Sequence, residues 1–506
     1  MRADSGKTVS VWMDTAELPR PPALEKDLTV DVCVVGAGIA GLTTAYRLSG
    51  EGRSVVVVDD GPLAGGETAR TTAHLSNALD DRYGWIEQVH GEKGARLTAE
   101  SHTAAIDAIE RWTREEGIDC GFERLDGYLF NPPEEEEGVD LARERDAARR
   151  AGLADVEIVA RAPLSLFDTG PALRFPRQGQ FHPLLYLRGI AAAIERRGGR
   201  LAKAHAAKIE GGAHPSVETA DGRVVRAGSV VVATNSPVNL RLAIHTKQAP
   251  YRTYVIGVRV PHGVAPRALL WDTLEPYHYL RSQPLGDGGD ELLIVGGEDH
   301  KTGQEDPGER HSRLEGWART RFPSMGDVIY RWSGQVMETV DGLAFIGASP
   351  DGVQNVYVAT GDSGMGMTHG TIAGILIGDL VLGRENPWAE IYDPSRISLR
   401  AAANFAKENV NVALQYADYA LPAEAEGPQE IPAGEGAVLV EGVKRIAAYR
   451  DPSGAVHRHS AVCVHLGCVV AWNPLEKSWD CPCHGSRFDP YGRVVNGPAN
   501  RDLDPD

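Results

Sequence analysis

Two groups of residues in this 506-residue chain have the types and spacing to do chemistry. The later group reads Cys463-Val-His465-Leu-Gly-Cys468 and, after a gap, Cys481-Pro-Cys483-His484-Gly-Ser486. It gathers four of the six cysteines together with two histidines. Thiolate and imidazole are soft enough to hold zinc or iron, so this stretch points to a metal. A zinc ribbon needs paired C-x2-C or C-x2-H arms, and the C-x-H of the first box fits such an arm poorly. The earlier group is Gly36-Ala-Gly38-Ile-Ala-Gly41. A glycine-rich turn of that spacing can carry a dinucleotide if a strand precedes it and a helix follows.

The flanking sequence meets that condition. Thr29–Val35 is an apolar strand running into the turn, Leu42–Leu48 has helical character, and Ser54–Asp59 is a second buried strand ending in an acid. Gly36 permits the tight turn, Gly38 lets the backbone approach a pyrophosphate, and Gly41 lets helix and strand pack closely. The helix N-terminus then offers amides and a positive dipole end to the phosphates. Asp59, eighteen residues after the third glycine, is placed for the ribose hydroxyls, and strand alternation turns Asp60 away.

Three further segments follow in order: Gly65-Gly66-Glu-Thr68-Ala-Arg70-Thr71-Thr72-Ala-His74, then Ser229–Asn235 after an Asp221-Gly222 turn, and Val356–Met367 leading into an apolar helix. This order resembles the glycine oxidase / D-amino-acid dehydrogenase superfamily over roughly residues 28 to 395. The resemblance implies FAD, touched by Thr68, Arg70 and Thr71 and by the late turn with Gly361, Ser363, Gly364, Gly366 and Met367. Some relatives attach FAD covalently through a histidine in the first flavin loop. Arg70 stands at the matching position, so non-covalent FAD is expected.

The cysteine–histidine stretch resembles the Rieske [2Fe–2S] domain, in which two Cys hold one iron and two His the other. The resemblance implies Cys463, His465, Cys481 and His484 as ligands and a Cys468–Cys483 disulfide. Ser486 matches a serine that hydrogen-bonds a cluster sulfur in high-potential members, and Gly497-Pro498-Ala499 looks like the loop covering the cluster. Phe488 stands where such members often have a tyrosine bonding a ligand sulfur. Loss of that bond is worth about 1 kcal/mol, or ~40 mV for one electron, which implies a potential in the middle or lower Rieske range.

For substrate, Tyr277-His278-Tyr279-Leu280-Arg281 precedes the strand Glu291–Gly297. In amino-acid oxidases of the superfamily a similar strand carries an arginine for the substrate carboxylate. Arg281 is expected in that role, with Tyr277 and Tyr279 on the same strand face. His74, His182 and His369 read as structural, and no catalytic base is assigned.

The expected architecture is α/β (α+β): a Rossmann-like FAD-binding fold with a mixed-sheet substrate domain, plus a small all-β Rieske domain. Residues 1–28 read as an extended arm and 29–395 as the oxidoreductase. Within it, 29–90, 150–240 and 330–395 would bind FAD, and 90–150 and 240–330 would cover the substrate. Residues 396–429 read as an amphipathic helix and linker, and 430–506 as the cluster domain. Pro132–Gly138 reads as an acidic surface loop, and Cys33 and Cys120 as plain buried residues. The net charge of −18 argues against nucleic acid or an anionic membrane. Ile372–Leu382 carries Asp379 and is too short to span a bilayer, and no signal peptide precedes the first strand, so a cytoplasmic protein is expected.

The activity implied is an FAD-dependent dehydrogenase oxidising a C–N bond of an amino acid or secondary amine. Its electrons would leave through the [2Fe–2S] cluster to an external one-electron acceptor, ferredoxin-like or another carrier. One alternative is a dehydrogenase of another carboxylate or a secondary metabolite. Another is a flavin/Rieske electron-transfer component fed by NAD(P)H, but no second G-x-G-x-x-G occurs after Gly41.

Overall fold

The structure is a computed structural model describing residues 6–132, 138–240, 244–286, 289–305 and 307–506. Most of the acidic loop after Pro132 lies outside the described residues. The first sheet runs Phe345–Ala348, Val356–Thr360, Val224–Val232, Leu28–Val35, Val55–Asp59 and Arg200–Lys203, parallel along this path except at its first edge, with Ser216–Thr219 and Ala206–Glu210 added antiparallel beside Val224–Val232. Alternate residues of its central strands enter two different cores. Val32, Val34, Val55 and Val57 face one; Cys33, Val35, Val56 and Val58 face the other. A strand buried on both faces reads as an unbroken apolar run, which is why these segments stood out in the sequence. Burial also pushes the Cys33 thiol up to about 12, so it behaves as a core residue.

Helices Ile39–Gly50, Pro183–Arg196 and Gly366–Val381 pack together beside this sheet. A second sheet of nine strands is built around Gln248–Pro261, flanked by Val328–Thr339 and Asp290–Lys301. It continues through His278–Pro284, Leu269–Asp272, Glu123–Phe130 and Ala172–Gln180 to His74–Leu75. Ala172–Gln180 and Val328–Thr339 therefore pair in the second sheet, although they fall in stretches expected to bind FAD. A strand's own apolar pattern does not say which sheet it will join.

Residues 435–460 form a three-stranded antiparallel sheet and 471–496 a four-stranded one, with both ligand loops between and within them. This is the small all-β unit expected.

Two segments differ from expectation. The N-terminal arm is built into the core: Trp12 is fully buried and donates to the Thr71 carbonyl at 2.6 Å, and Ser10 donates to the Ala69 carbonyl. The apolar stripe after residue 396 faces outward, with Ile397 80% and Leu399 85% exposed, and helix Ala402–Leu414 has no buried residue. Its tail instead clamps the first ligand loop, because the Tyr416 and Tyr419 hydroxyls donate to the carbonyls of Leu466 and Gly467, both at 2.7 Å.

Candidate functional site

One long cavity runs from the glycine turn to the second sheet. At its nucleotide end Gly36 has φ +107°, and a Cβ there would lie 2.3 Å from the Ala233 carbonyl oxygen. Only glycine keeps that turn closed on the neighbouring strand. Asp59 accepts from the amides of Ala37 (2.6 Å) and Gly61 (2.8 Å), and burial raises its carboxyl to about 6. Asp60, expected to turn away, also lines the cavity, where it meets His205 at 2.8 Å. The helices Ile39–Gly50 and Gly366–Val381 both begin at the cavity, and neither N-terminus has a side-chain cap. The two helix N-termini favour negative charge at two places along it, as a dinucleotide pyrophosphate and an electron-rich ring system require. Thr68 accepts from the Ile39 amide at 3.2 Å, at the first of them.

The late turn is held by Ser363, which lies behind the wall and accepts from the Thr339 amide at 3.0 Å. Gly361, Gly364, Gly366 and Met367 line the cavity; Gly41 and Ser363 support it from behind. Thr71 lines it too, with its carbonyl held by Trp12. Arg70 is different. Its guanidinium is fully buried and points away, to Thr8, the Ser333 carbonyl and Glu476.

At the far end Tyr277 and Tyr279 line the cavity with Thr253 and Trp271. Tyr279 shares a hydrogen bond with Thr253 at 2.7 Å, and Tyr277 donates to Asp299 at 3.3 Å. Arg281 is not in this wall. It is buried under the 72–73 segment, donating to the carbonyls of Thr72, Ala73 and Phe181, so the expected carboxylate grip is corrected. Tyr277 precedes the strand His278–Pro284, which carries Tyr279 and Arg281. His74 and His369 line the cavity, with burial lowering them to about 3 and about 4, so both are neutral. His182 caps the helix Pro183–Arg196 by accepting from the Leu185 amide.

In the cluster unit, Cys463 and Cys481 are buried thiols and Cys468–Cys483 is a disulfide. The Cys481 sulfur lies within 4.8 Å of both bridge sulfurs, so the bridge packs directly on a ligand position. The His465 and His484 rings stand 5.1 Å apart, and the buried Nδ1 of His484 has no hydrogen-bond partner. Two thiols and a bare imidazole nitrogen converging in a shielded pocket suit two irons held by sulfur on one side and nitrogen on the other. A bond to Cys481 pulls the Cys463 thiol below its ordinary range, with the Ser486 hydroxyl assisting. Phe488 is fully buried and offers no hydroxyl.

The family description "FAD dependent oxidoreductase" (DAO) matches residues 31–380, and "Rieske [2Fe-2S] domain" matches residues 424–505. The chain belongs to the DAO family of FAD-dependent oxidoreductases. This DAO-family chain is 32% identical over 498 residues to the putative Rieske 2Fe-2S iron-sulfur protein YhfW of Bacillus subtilis, covering 97% of this chain and 96% of that one. It is 29% identical over 373 residues to gamma-glutamylputrescine oxidoreductase of Escherichia coli, covering 71% and 85%. Over 73% of this chain the fold is similar to that of glycine oxidase from Geobacillus kaustophilus, with TM-score 0.61 at 20% identity over 99% of that chain. The cofactors of this DAO-family oxidoreductase are FAD and a Rieske-type [2Fe–2S] cluster, and among the described residues no helix is long and apolar enough to cross a membrane.

Sequence reasoning missed the joint between the two units. In this DAO-family chain Val494–Gly497, Ala499 and Asn500 of the cluster unit form part of the cofactor cavity wall. Ala499 donates to Ser486 at 3.0 Å, so the 497–499 loop links the cluster loops to the cavity. Glu67, in the first flavin loop, accepts from Asn496 at 3.0 Å and pairs with Arg487 at 3.7 Å. Gln335 lines the cavity and donates to the Gly485 carbonyl at 3.0 Å, next to His484. His245 of the oxidoreductase unit lies 5.0 Å from the His465 ring and 6.2 Å from His484. The 497–499 loop, Ser486 and Glu67 lie in segments the sequence singles out, but their contacts across the two units, like Gln335 and His245, are tertiary and carry no local signal.

Proposed function

We propose that this protein is an FAD-dependent dehydrogenase that oxidises a C–N bond of an amine and passes the electrons through its own Rieske cluster to an external one-electron acceptor. The flavin supplies a two-electron acceptor for the substrate, and the cluster supplies one-electron exit. The observation that carries this reading is the Gln335–Gly485 contact, which joins the cofactor cavity to a ligand loop through one side chain. A cluster serving only as a distant module would not need its loops inserted in the flavin cavity wall. The likeness to gamma-glutamylputrescine oxidoreductase supports an amine as the electron donor.

In this reading Cys463, His465, Cys481 and His484 hold the cluster. Gly36, Gly38, Asp59, Thr68, Thr71, Gly361, Gly364, Gly366 and Met367 hold FAD without a covalent bond, and Gly41 and Ser363 brace them. Arg70 contributes to the flavin loop by anchoring it. Tyr277 and Tyr279 face the substrate, while the neutral His74 and His369 stay structural.

Anaerobic visible spectra of the holoprotein test the reading. Addition of an amine is expected to bleach the flavin bands within one turnover; bleaching by NADH or NADPH alone sinks the proposal. A second measurement reports on the cluster. Phe488→Tyr is expected to raise the cluster potential by about 40 mV, one added hydrogen bond's worth, in a spectroelectrochemical titration. An unchanged potential would mean that the new hydroxyl does not reach a ligand sulfur.

A further inference from the structure

Helix Ala402–Leu414 is folded inside out. Its polar residues Asn404, Glu408 and Asn411 recur at i, i+4 and i+7 and turn toward the oxidoreductase unit. Asn404 donates to the Val340 carbonyl at 3.3 Å, Glu408 accepts from Lys301 at 2.5 Å, and Asn411 accepts from Gln304 at 2.8 Å. The opposite face carries Ala402, Ala406, Val410, Ala413 and Leu414, all exposed, Val410 by 59% and Leu414 by 63%. A surface helix ordinarily buries its apolar stripe and leaves the polar one to water. Here hydrogen bonds on the polar side hold the apolar side outward.

The exposed surface is also large. Among the described residues, eight of the fifteen exposed large apolar side chains fall between Ile397 and Leu421. At roughly 100 Å² of exposed surface apiece they amount to ~800 Å², one partner's share of a standard specific interface and more than the largest patch of an ordinary monomer. Lys407 is the only exposed charge among the described residues of the helix. A carrier that docks and leaves meets small, charge-steered contacts, which this face does not offer. An anionic membrane is repelled by the acids that follow, Glu424, Glu426 and Glu430. A permanent apolar partner fits, and the size profile of the stripe says which. Its small residues Ala402 and Ala406 stand toward one end and its large ones, Val410 and Leu414, toward the other. About a two-fold axis near residue 408, an antiparallel copy sets Leu414 on Ala402 and Val410 on Ala406, large against small along the contact.

We propose that the outward face of helix Ala402–Leu414 is the two-fold interface of a homodimer, each helix lying antiparallel on its copy. The contact would lie beside the cluster loops. The Val412 carbonyl is 4.0 Å from the Cys483 sulfur, and the helix runs directly into Tyr416 and Tyr419, which hold the first ligand loop. Association therefore braces the element that clamps that loop.

Sedimentation equilibrium of the holoprotein is expected to give a dimer at about 10 µM, because interfaces of this size bind at micromolar affinity or tighter. Val410→Glu puts a charge on each side of the axis at a position already exposed. It is expected to weaken the dimer at least about 100-fold while the flavin and cluster absorbance stay unchanged. Leu414→Glu is the second variant, should the first not fold. The register has its own test: Ala406→Lys added to Val410→Glu pairs opposite charges twice across the axis and is expected to restore the dimer. A wild-type monomer at the same concentration overturns the inference, as does a dimer that survives both glutamates. Failure of the lysine–glutamate pair to restore association in a folded protein overturns the antiparallel packing. A monomer that cosediments with phosphatidylglycerol vesicles, and loses them on Val410→Glu, assigns the face to a membrane and overturns the dimer.

Discussion

Replacing Cys481 with serine is expected to remove the cluster while leaving the flavin reducible by substrate. Cys481 is a buried thiol outside the cofactor cavity, and its neighbouring disulfide still pins the two loops. A Rieske centre with one of its two thiolates missing loses half the protein ligands of one iron. Steady-state turnover with a one-electron acceptor should then fall at least about 100-fold, while single-turnover bleaching stays within about threefold, since the two assays separate chemistry from electron exit. Stopped-flow absorbance and cluster EPR on the same preparation check both arms. If single-turnover bleaching disappeared in a folded, flavin-loaded variant, the cluster would have a part in substrate oxidation beyond electron exit.

The second large effect concerns Glu476, on the hairpin preceding Cys481. Its carboxylate is completely buried between Arg70 at 3.2 Å and Arg252 at 3.7 Å, and it also accepts from Ser333 and from the Thr8 amide. Four distant parts of the chain thus meet on one carboxylate: the N-terminal arm, the first flavin loop, the second sheet and the cluster unit. Burial alone would raise it, but the surrounding arginines outweigh burial and hold it down to about 2. Glu476→Gln keeps the shape and leaves two buried guanidiniums without their charge partner, a loss of about 3–5 kcal/mol. A denaturation midpoint within error of the parent would refute this. The same group sets a pH window. Its folded value lies below the ordinary 4.5, so its stabilising contribution is complete above about pH 4.5 and lost as pH falls toward 2. The Gln variant should lack that part of the acid sensitivity, measured as melting temperature against pH.

Much of this was legible from local pattern. The ligand boxes, the glycine turn and the doubly buried strands are all short-range signals, fixed by ligand chemistry, φ and burial on both faces. Arg70 and Arg281 mark where local reading stopped. Each lies in a segment beside the cavity, yet the direction of each guanidinium is decided by acceptors far away in sequence: Glu476 for Arg70, and the carbonyls of Thr72, Ala73 and Phe181 for Arg281. The stripe from Ile397 to Leu414 misled for a related reason. Its periodicity is helical, but what covers a helix face is a tertiary matter, and here the face stays open. Trp12 was hidden in a polar, proline-bearing arm whose composition resembles a linker.

The cavity wall formed by Val494–Asn500 also bears on how the protein matures. A ligand that binds between two units stabilises their docked arrangement, by about 4.1 kcal/mol when present at a thousand times its dissociation constant. Flavin uptake and seating of the cluster unit against the oxidoreductase are therefore one coupled equilibrium.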